Sequence, residues 1–164
     1  MTTLKPSYGS PTTVTITTGS LASDAGLLAG RQSNIADNTS DLADECSVGL
    51  AIAAPGAAPT AGTFIEVWVF WSWDGGTTFS AGASGGGDAN FSPPTTGVKY
   101  QMSRAALLSQ DDATARPFDV GFMLSDVIGG QALPDHWGVF IVHNLAVTLG
   151  ATTLKYTPIQ YTNS

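Results

Sequence analysis

Charge is scarce in this chain, and positive charge is scarcest. Of 164 residues only 12% are charged, with 6 Lys and Arg against 13 Asp and Glu, a formal net charge of −7. A nucleic-acid binder releases counterions from phosphates through a basic patch. Six scattered cations (Lys5, Arg31, Lys99, Arg104, Arg116 and Lys155) do not build one. The same shortage disfavours an anionic membrane surface. Cys46 is the single cysteine, which excludes an intrachain disulfide and reads best as a small buried hydrophobe. No apolar run reaches membrane-spanning length: the densest stretch, Phe64 to Trp73, is short and interrupted by Glu66 and Ser72. The opening residues MTTLKPSYGSPTT hold one Lys and no apolar segment, so no secretory leader is expected. An amphipathic helical stripe is also missing.

What the chain has instead is 19 Gly, 9 Pro and short apolar runs that alternate and break at turns. That pattern predicts an all-β domain with long ordered loops. Residues 1–11 carry Pro6, Gly9 and Pro11 and little that is apolar, and read as an extended arm; residues 12–164 read as one domain. Strands are expected over Thr12–Thr18, Cys46–Ile52, Phe64–Trp73, Val98–Leu108, Pro117–Leu124, Trp137–His143 and Thr152–Tyr161. Pro158 predicts an edge position for the last of these. Ser20–Asp44 reads as an ordered loop holding one short helix or strand, and Asp74–Gly97 as a long loop anchored by Phe79 and Phe91. Phe64–Trp73 is apolar on both faces and predicts a central strand covered on each side, by a loop or by a neighbouring subunit. Seven or eight such strands predict a two-sheet, jelly-roll-like sandwich.

Few residues suggest chemistry. Gly82-Ala83-Ser84-Gly85-Gly86 fits G-x-S-x-G, yet a nucleophile elbow needs a strand before the Ser and a helix after it, and this segment is a glycine-rich loop. His136 and His143 lie seven apart, on opposite faces of one strand, and do not share a metal ion. Asp111, Asp112 and Asp74 read as turn residues rather than paired acids. Asp88-x-Asn90-x-Ser92 opens like a calcium loop, but Pro93 stands where that loop needs Gly. Trp71 and Trp73 share a face with Ile65, Val67 and Val69 and are expected in the core. Trp68, on the face of Glu66 and Ser72, is open between core, subunit interface and ligand platform. No catalytic centre, metal or cofactor is expected.

Four segments taken together carry a resemblance: LLAGRQSNIADNTSD (27–41), FIEVWVFWSWD (64–74), LPDHWGVFIVHN (133–144) and LKYTPIQY (154–161). Over about Leu21 to Tyr161 the chain resembles a family of small virion proteins of tailed bacteriophages. The resemblance implies a structural virion component. Small size, β content, acidity and an extended arm favour a decoration, or cement, protein that bridges capsomers on the outer capsid surface. Such a protein would be assembled in the host cytoplasm. Its implied partners are the major capsid protein and further copies of this chain, as a trimer or dimer; nucleic acid and membrane are not expected. The candidate interface residues are Pro6 and Tyr8 of the arm, Leu28, Arg31, Asn34 and Asn38 of the Leu27–Asp41 loop, and Trp68. For that loop the alternative is internal: it folds onto its own sheet and Arg31 pairs with an Asp. A tail, adaptor or baseplate component, a glycan-binding module using Trp68 and the Asp74–Gly97 loop, and an esterase-like enzyme acting through Ser84 remain the rival functions.

Overall fold

A computed structural model describes residues 4–163. The first three residues of the expected arm lie outside the described residues. In chain order the strands are β1 (Leu4–Tyr8), β2 (Thr12–Val14), β3 (Gly30–Gln32), β4 (Ala36–Asp37), β5 (Glu45–Ile52), β6 (Thr63–Ser72), β7 (Ala89–Phe91), β8 (Ser103–Gln110), β9 (Phe118–Met123), β10 (His136–His143) and β11 (Thr152–Asn163). Three single α-helical turns, α1 (Asn38–Asp41), α2 (Thr96–Lys99) and α3 (Leu124–Val127), and a 3-10 turn at Ser80–Gly82 punctuate them.

The strands form two antiparallel sheets. One has the order β2–β11–β5–β9, with β1 continuing along β11 past the end of β2. The other runs β3/β4–β10–β6–β8, with β7 added outside β3. Successive major strands switch sheets, except that β6 and β8 pair within one. This is jelly-roll topology, as the alternating pattern predicted.

Alternation explains the core. Val48, Leu50 and Ile52 of β5 and Leu154 and Tyr156 of β11 face Ile65, Val67 and Val69 of β6 and Trp137, Val139 and Ile141 of β10. Trp137 meets Tyr156 edge-on across the gap, ring centroids 5.4 Å apart. Cys46 is buried here, and desolvation pushes its thiol up to about 12, so it packs as an inert hydrophobe. Gly138 is needed for close approach: a Cβ there would strike the Phe70 ring on the adjacent strand.

A second apolar layer covers the outer face of β6 and β10. Trp68, Phe70, Phe140 and Val142 point away from the first core and are roofed by Phe79, Ala81, Ala83 and Met102. Of the two covers open for β6, the loop is the one found. The roof is pinned by Gln32, which is fully buried. Its amide donates to the carbonyls of Ser84 (2.6 Å) and Gly87 (2.9 Å) and accepts from Ser84 N–H (3.0 Å).

Several expectations need correction. Pro158 does not mark an edge, because β11 is paired on both sides. β1 ends at Tyr8 and β2 starts at Thr12, so the partner strand is interrupted beside Pro158. The Pro158 carbonyl accepts from Gly9 N–H (2.8 Å), and its missing N–H points at the same interruption. Gly9 is required there, since a Cβ would lie 2.7 Å from the Pro158 ring. Trp73 is not core but 49% exposed. The strand ends at Ser72, where Asp74 accepts from Ser72 Oγ (2.6 Å) and from Thr78 N–H (2.8 Å) and turns the chain outward. These bonds, Ser72 first, hold the Asp74 carboxyl down to about 2. Trp71 is half-buried against the core. The Val98–Leu108 strand begins only at Ser103, after the turn α2; Thr12–Thr18 is strand only to Val14, although Val14, Ile16 and Thr18 keep the buried alternation.

Candidate docking surface

The feature of the fold that its own core does not use is the end of the first sheet. β1 lies on β11 in the register Leu4–Asn163, Lys5–Thr162, Pro6–Tyr161, Ser7–Gln160 and Tyr8–Ile159. All five residues of β1 are exposed, as are Gln160 to Asn163 opposite them. The two strands therefore leave the sandwich as a ribbon. A two-stranded ribbon is marginal in water without a covering layer.

Directly opposed residues share a face. One face of the ribbon is polar, carrying Lys5, Ser7, Gln160 and Thr162. The other carries Leu4, Pro6, Tyr8 and Tyr161, with the polar Asn163 opposite Leu4 at the tip and the buried Ile159 opposite Tyr8 at the base. Leu4 is 63% exposed, Tyr8 67% and Tyr161 49%. The outer edge of β1 is blunted by Pro6, whose opposition to Tyr161 is a non-hydrogen-bonded pair, so its N–H-less nitrogen faces the open edge. That disfavours strand addition at this edge and leaves the face of Leu4, Tyr8 and Tyr161 exposed.

The segment around α1 buttresses the ribbon. Tyr156 OH donates to Asp41 Oδ2 (3.0 Å), Gln160 Nε2 donates to the Asp41 carbonyl (2.9 Å), and Tyr161 N–H donates to Asp44 Oδ2 (2.8 Å). Burial, then the Asp41 bond, push the Tyr156 phenol up to about 12, so it stays a donor at every relevant pH. Between the two acids sits Leu42, left-handed at φ 44° and 72% exposed. A Leu in that region is strained, and the strain presents an apolar side chain to solvent.

Of the seven residues named from sequence, the structure puts Pro6 and Tyr8 on this ribbon and the others elsewhere. Arg31 takes the internal alternative: its Nε donates to Asp88 Oδ1 (2.5 Å), Nη1 to Asn90 Oδ1 (3.0 Å) and Nη2 to the Asp88 carbonyl (3.2 Å). Asp88 also accepts from Thr17 Oγ1 (2.5 Å), and Asn34 Oδ1 accepts from Asp88 N–H (2.7 Å). The Arg31 bond is the main reason the Asp88 carboxyl falls to about 2. Asn38 brackets Ala43, accepting from its N–H (3.0 Å) and donating to its carbonyl (3.4 Å). Leu28 is half-buried, its N–H bound by Asp24 Oδ2 (2.7 Å).

Trp68 is 3% exposed and is neither a ligand platform nor a free interface residue. Its indole N–H donates to Glu66 Oε2 (3.0 Å), which also takes Lys99 Nζ (2.7 Å). Lys99 donates onward to the Leu27 carbonyl (2.8 Å). This buried clamp was not foreseen; Lys99 and Glu66 are opposite charges 33 residues apart, with no spacing signal.

Ser84 and His143 make hydrogen bonds within the fold. Ser84 Oγ accepts from Gly86 N–H (3.0 Å) and, among the described residues, has no acid or imidazole partner. His143 is buried and held neutral, its pKa lowered by desolvation; Nε2 donates to the Leu21 carbonyl (3.2 Å) and Nδ1 accepts from Leu145 N–H (3.4 Å). Among the described residues no cluster of three His, Cys, Asp or Glu could hold a metal, and no helix is long and apolar enough to cross a membrane. Neither the models of known protein families nor the curated proteins give a match to this chain.

Proposed function

We propose that this protein is a structural component of a phage virion that docks on the outer capsid surface and stabilises the assembled shell. The observation that carries the reading is the β1–β11 ribbon, which exposes Leu4, Tyr8 and Tyr161 on one face and is braced by Asp41 and Asp44. Its partner is the major capsid protein, with a dimer or trimer of this chain as the docking unit. Leu4, Tyr8, Leu42 and Tyr161 supply burial, and Gln160, Lys5 and the two acids supply register. The acidic surface disfavours a lumenal position against packaged DNA. The resemblance of four segments to small phage virion proteins points the same way.

The mechanism is mass action. A protein that binds the assembled shell and not its separated subunits raises shell stability by RT ln(1 + [L]/Kd), about 2.7 kcal/mol at a hundredfold excess over Kd. Adding this protein to undecorated expanded heads should raise their melting temperature. Tyr8→Ser with Tyr161→Ser should abolish the rise while the isolated protein still melts cooperatively. No rise at saturation would remove the decoration reading. A copy number per virion far below that of the capsid protein would move the protein to the tail or connector.

A further inference from the structure

A second site lies away from the ribbon and is independent of the reading above. The segment Thr17–Asp24 and the pair β3–β7 enclose a cleft of about 520 Å³, in the size range of small-molecule sites. Its walls include Ser20, Leu21 and Asp24 on one side and Arg31, Asn90 and Ser92 on the other.

The polar groups in this cleft are fixed before any ligand arrives. Asp24 is held by the backbone N–H groups of Gly26 (3.0 Å), Leu28 (2.7 Å) and Ala29 (2.7 Å). Arg31 is locked by its three bonds to Asp88 and Asn90. Such preorganisation lowers the ordering cost of binding. The fixed groups also have capacity left. A guanidinium has five N–H donors and Arg31 spends three. Asn90 accepts through Oδ1, and its amide nitrogen has no partner among the described residues. The Ser20 and Ser92 hydroxyls are exposed and likewise without one.

Charge selects the ligand class. Asp88 neutralises Arg31, and Asp24 adds an unneutralised carboxylate, so the cleft opposes anions. The one aromatic residue lining the cleft, Phe91, is not free to stack on a ligand: it pairs with Gly30, whose face carries Phe140, and its ring packs edge-on against Phe140 (5.5 Å). Recognition here is by hydrogen bonds to a neutral ligand with many hydroxyls, each able to donate and accept. We infer that this cleft binds a pyranose residue of a neutral glycan, with vicinal hydroxyls shared between Asp24 and the Arg31–Asn90 pair.

The test is ¹⁵N-correlation NMR on the intact protein. The probes are glucose, galactose, mannose and their disaccharides at up to about 20 mM, with inorganic phosphate and N-acetylneuraminate as anionic controls. At least one neutral sugar should shift the amides of Ser20–Asp24 and Asn90–Ser92, with a Kd of about 1–10 mM. Asn90→Ala should weaken it about tenfold, and Ala22→Trp, which plugs the cleft from an exposed position, should abolish it. Both variants should keep the dispersed spectrum of the parent. Three results overturn the inference: no neutral sugar moving these amides, an anionic control binding more tightly, or sugar shifts that persist in Ala22→Trp. The same amides moved by an extended peptide and by no sugar would assign the cleft to strand addition on β7, and also overturn it.

Discussion

Glu66 is a carboxylate almost out of water, and its neighbours carry the cost of keeping it there. Lys99 Nζ sits 2.7 Å away, Trp68 donates its indole N–H, and Arg104 approaches to 3.7 Å from the solvent side. Lys99 also lies 5.1 Å from the Trp68 ring centroid, a cation–π contact. Buried pairs are costly to break and cheap to replace as a pair. Lys99→Met should therefore destabilise the fold by about 3 kcal/mol in urea titration. Glu66→Gln with Lys99→Met, which keeps an acceptor for Trp68, should recover most of that loss. Equal losses in the single and double variants would show that the charges are not coupled. Asp88 gives a second prediction, on pH. Its folded pKa is depressed to about 2, by Arg31 first. The unfolded chain takes up that proton near pH 4, about two units earlier than the folded one. The stabilisation is thus complete above about pH 4 and is lost as pH falls toward about 2. In Arg31→Leu the stability at pH 7 should drop, and the decline between about pH 4 and 2 should flatten. Asp74 titrates in both proteins, so the difference between the two curves reports Asp88. An unchanged slope would show that the pair is not the source.

At the scale of the element, the roof over β6 depends on a few anchors rather than on regular structure. Gln32 holds Ser84 and Gly87 through three hydrogen bonds from a fully buried side chain. Gln32→Leu keeps the volume but strands two carbonyls and an N–H, each costing about 1–3 kcal/mol if water cannot reach it. The Ser84 amide should then exchange with solvent at least about tenfold faster, while amides of β6 and β10 keep their protection. Uniform loss across the sheet would mean the roof and sheet open as one unit. The roof also marks where local pattern ends. The two apolar faces of β6 were legible, because period-2 alternation and burial on both sides leave a continuous apolar run. β10, buried on both faces like β6, was legible for the same reason, and β5 and β9 by their alternation. Trp73 was misplaced because alternation carries no stop signal; the stop is the Ser72–Asp74 hydrogen bond. Pro158 was misplaced because its compensation comes from Gly9, at the other end of the chain. The candidate surface divides likewise. Pro6 and Tyr8 were visible as parts of an extended arm. Tyr161 and Leu42 join them only through the β1–β11 register and the bonds from Asp41 and Asp44, which no local pattern encodes.

For the whole molecule, the fold and the proposed docking surface are separable. The cores between the sheets and beneath the roof draw nothing from β1, since every residue of that strand is exposed. β2 still covers β11 at Thr12–Val14, and β5 covers it from Glu45 to Ile52. Removing residues 1–8 should thus cost about 1 kcal/mol or less, a melting shift of no more than about 4 °C for a chain of this length. The same truncation deletes Leu4, Pro6 and Tyr8 and leaves Tyr161 without its neighbours, so stabilisation of expanded heads should vanish. Thermal unfolding of the truncated chain and of heads mixed with it are the two measurements. A stable truncated protein that no longer protects heads places docking on the ribbon. A stable one that protects heads fully would move docking to another face of the sandwich. A truncated chain that unfolds would show that β1 is part of the fold, and that its exposed apolar side chains stabilise the monomer rather than await a partner.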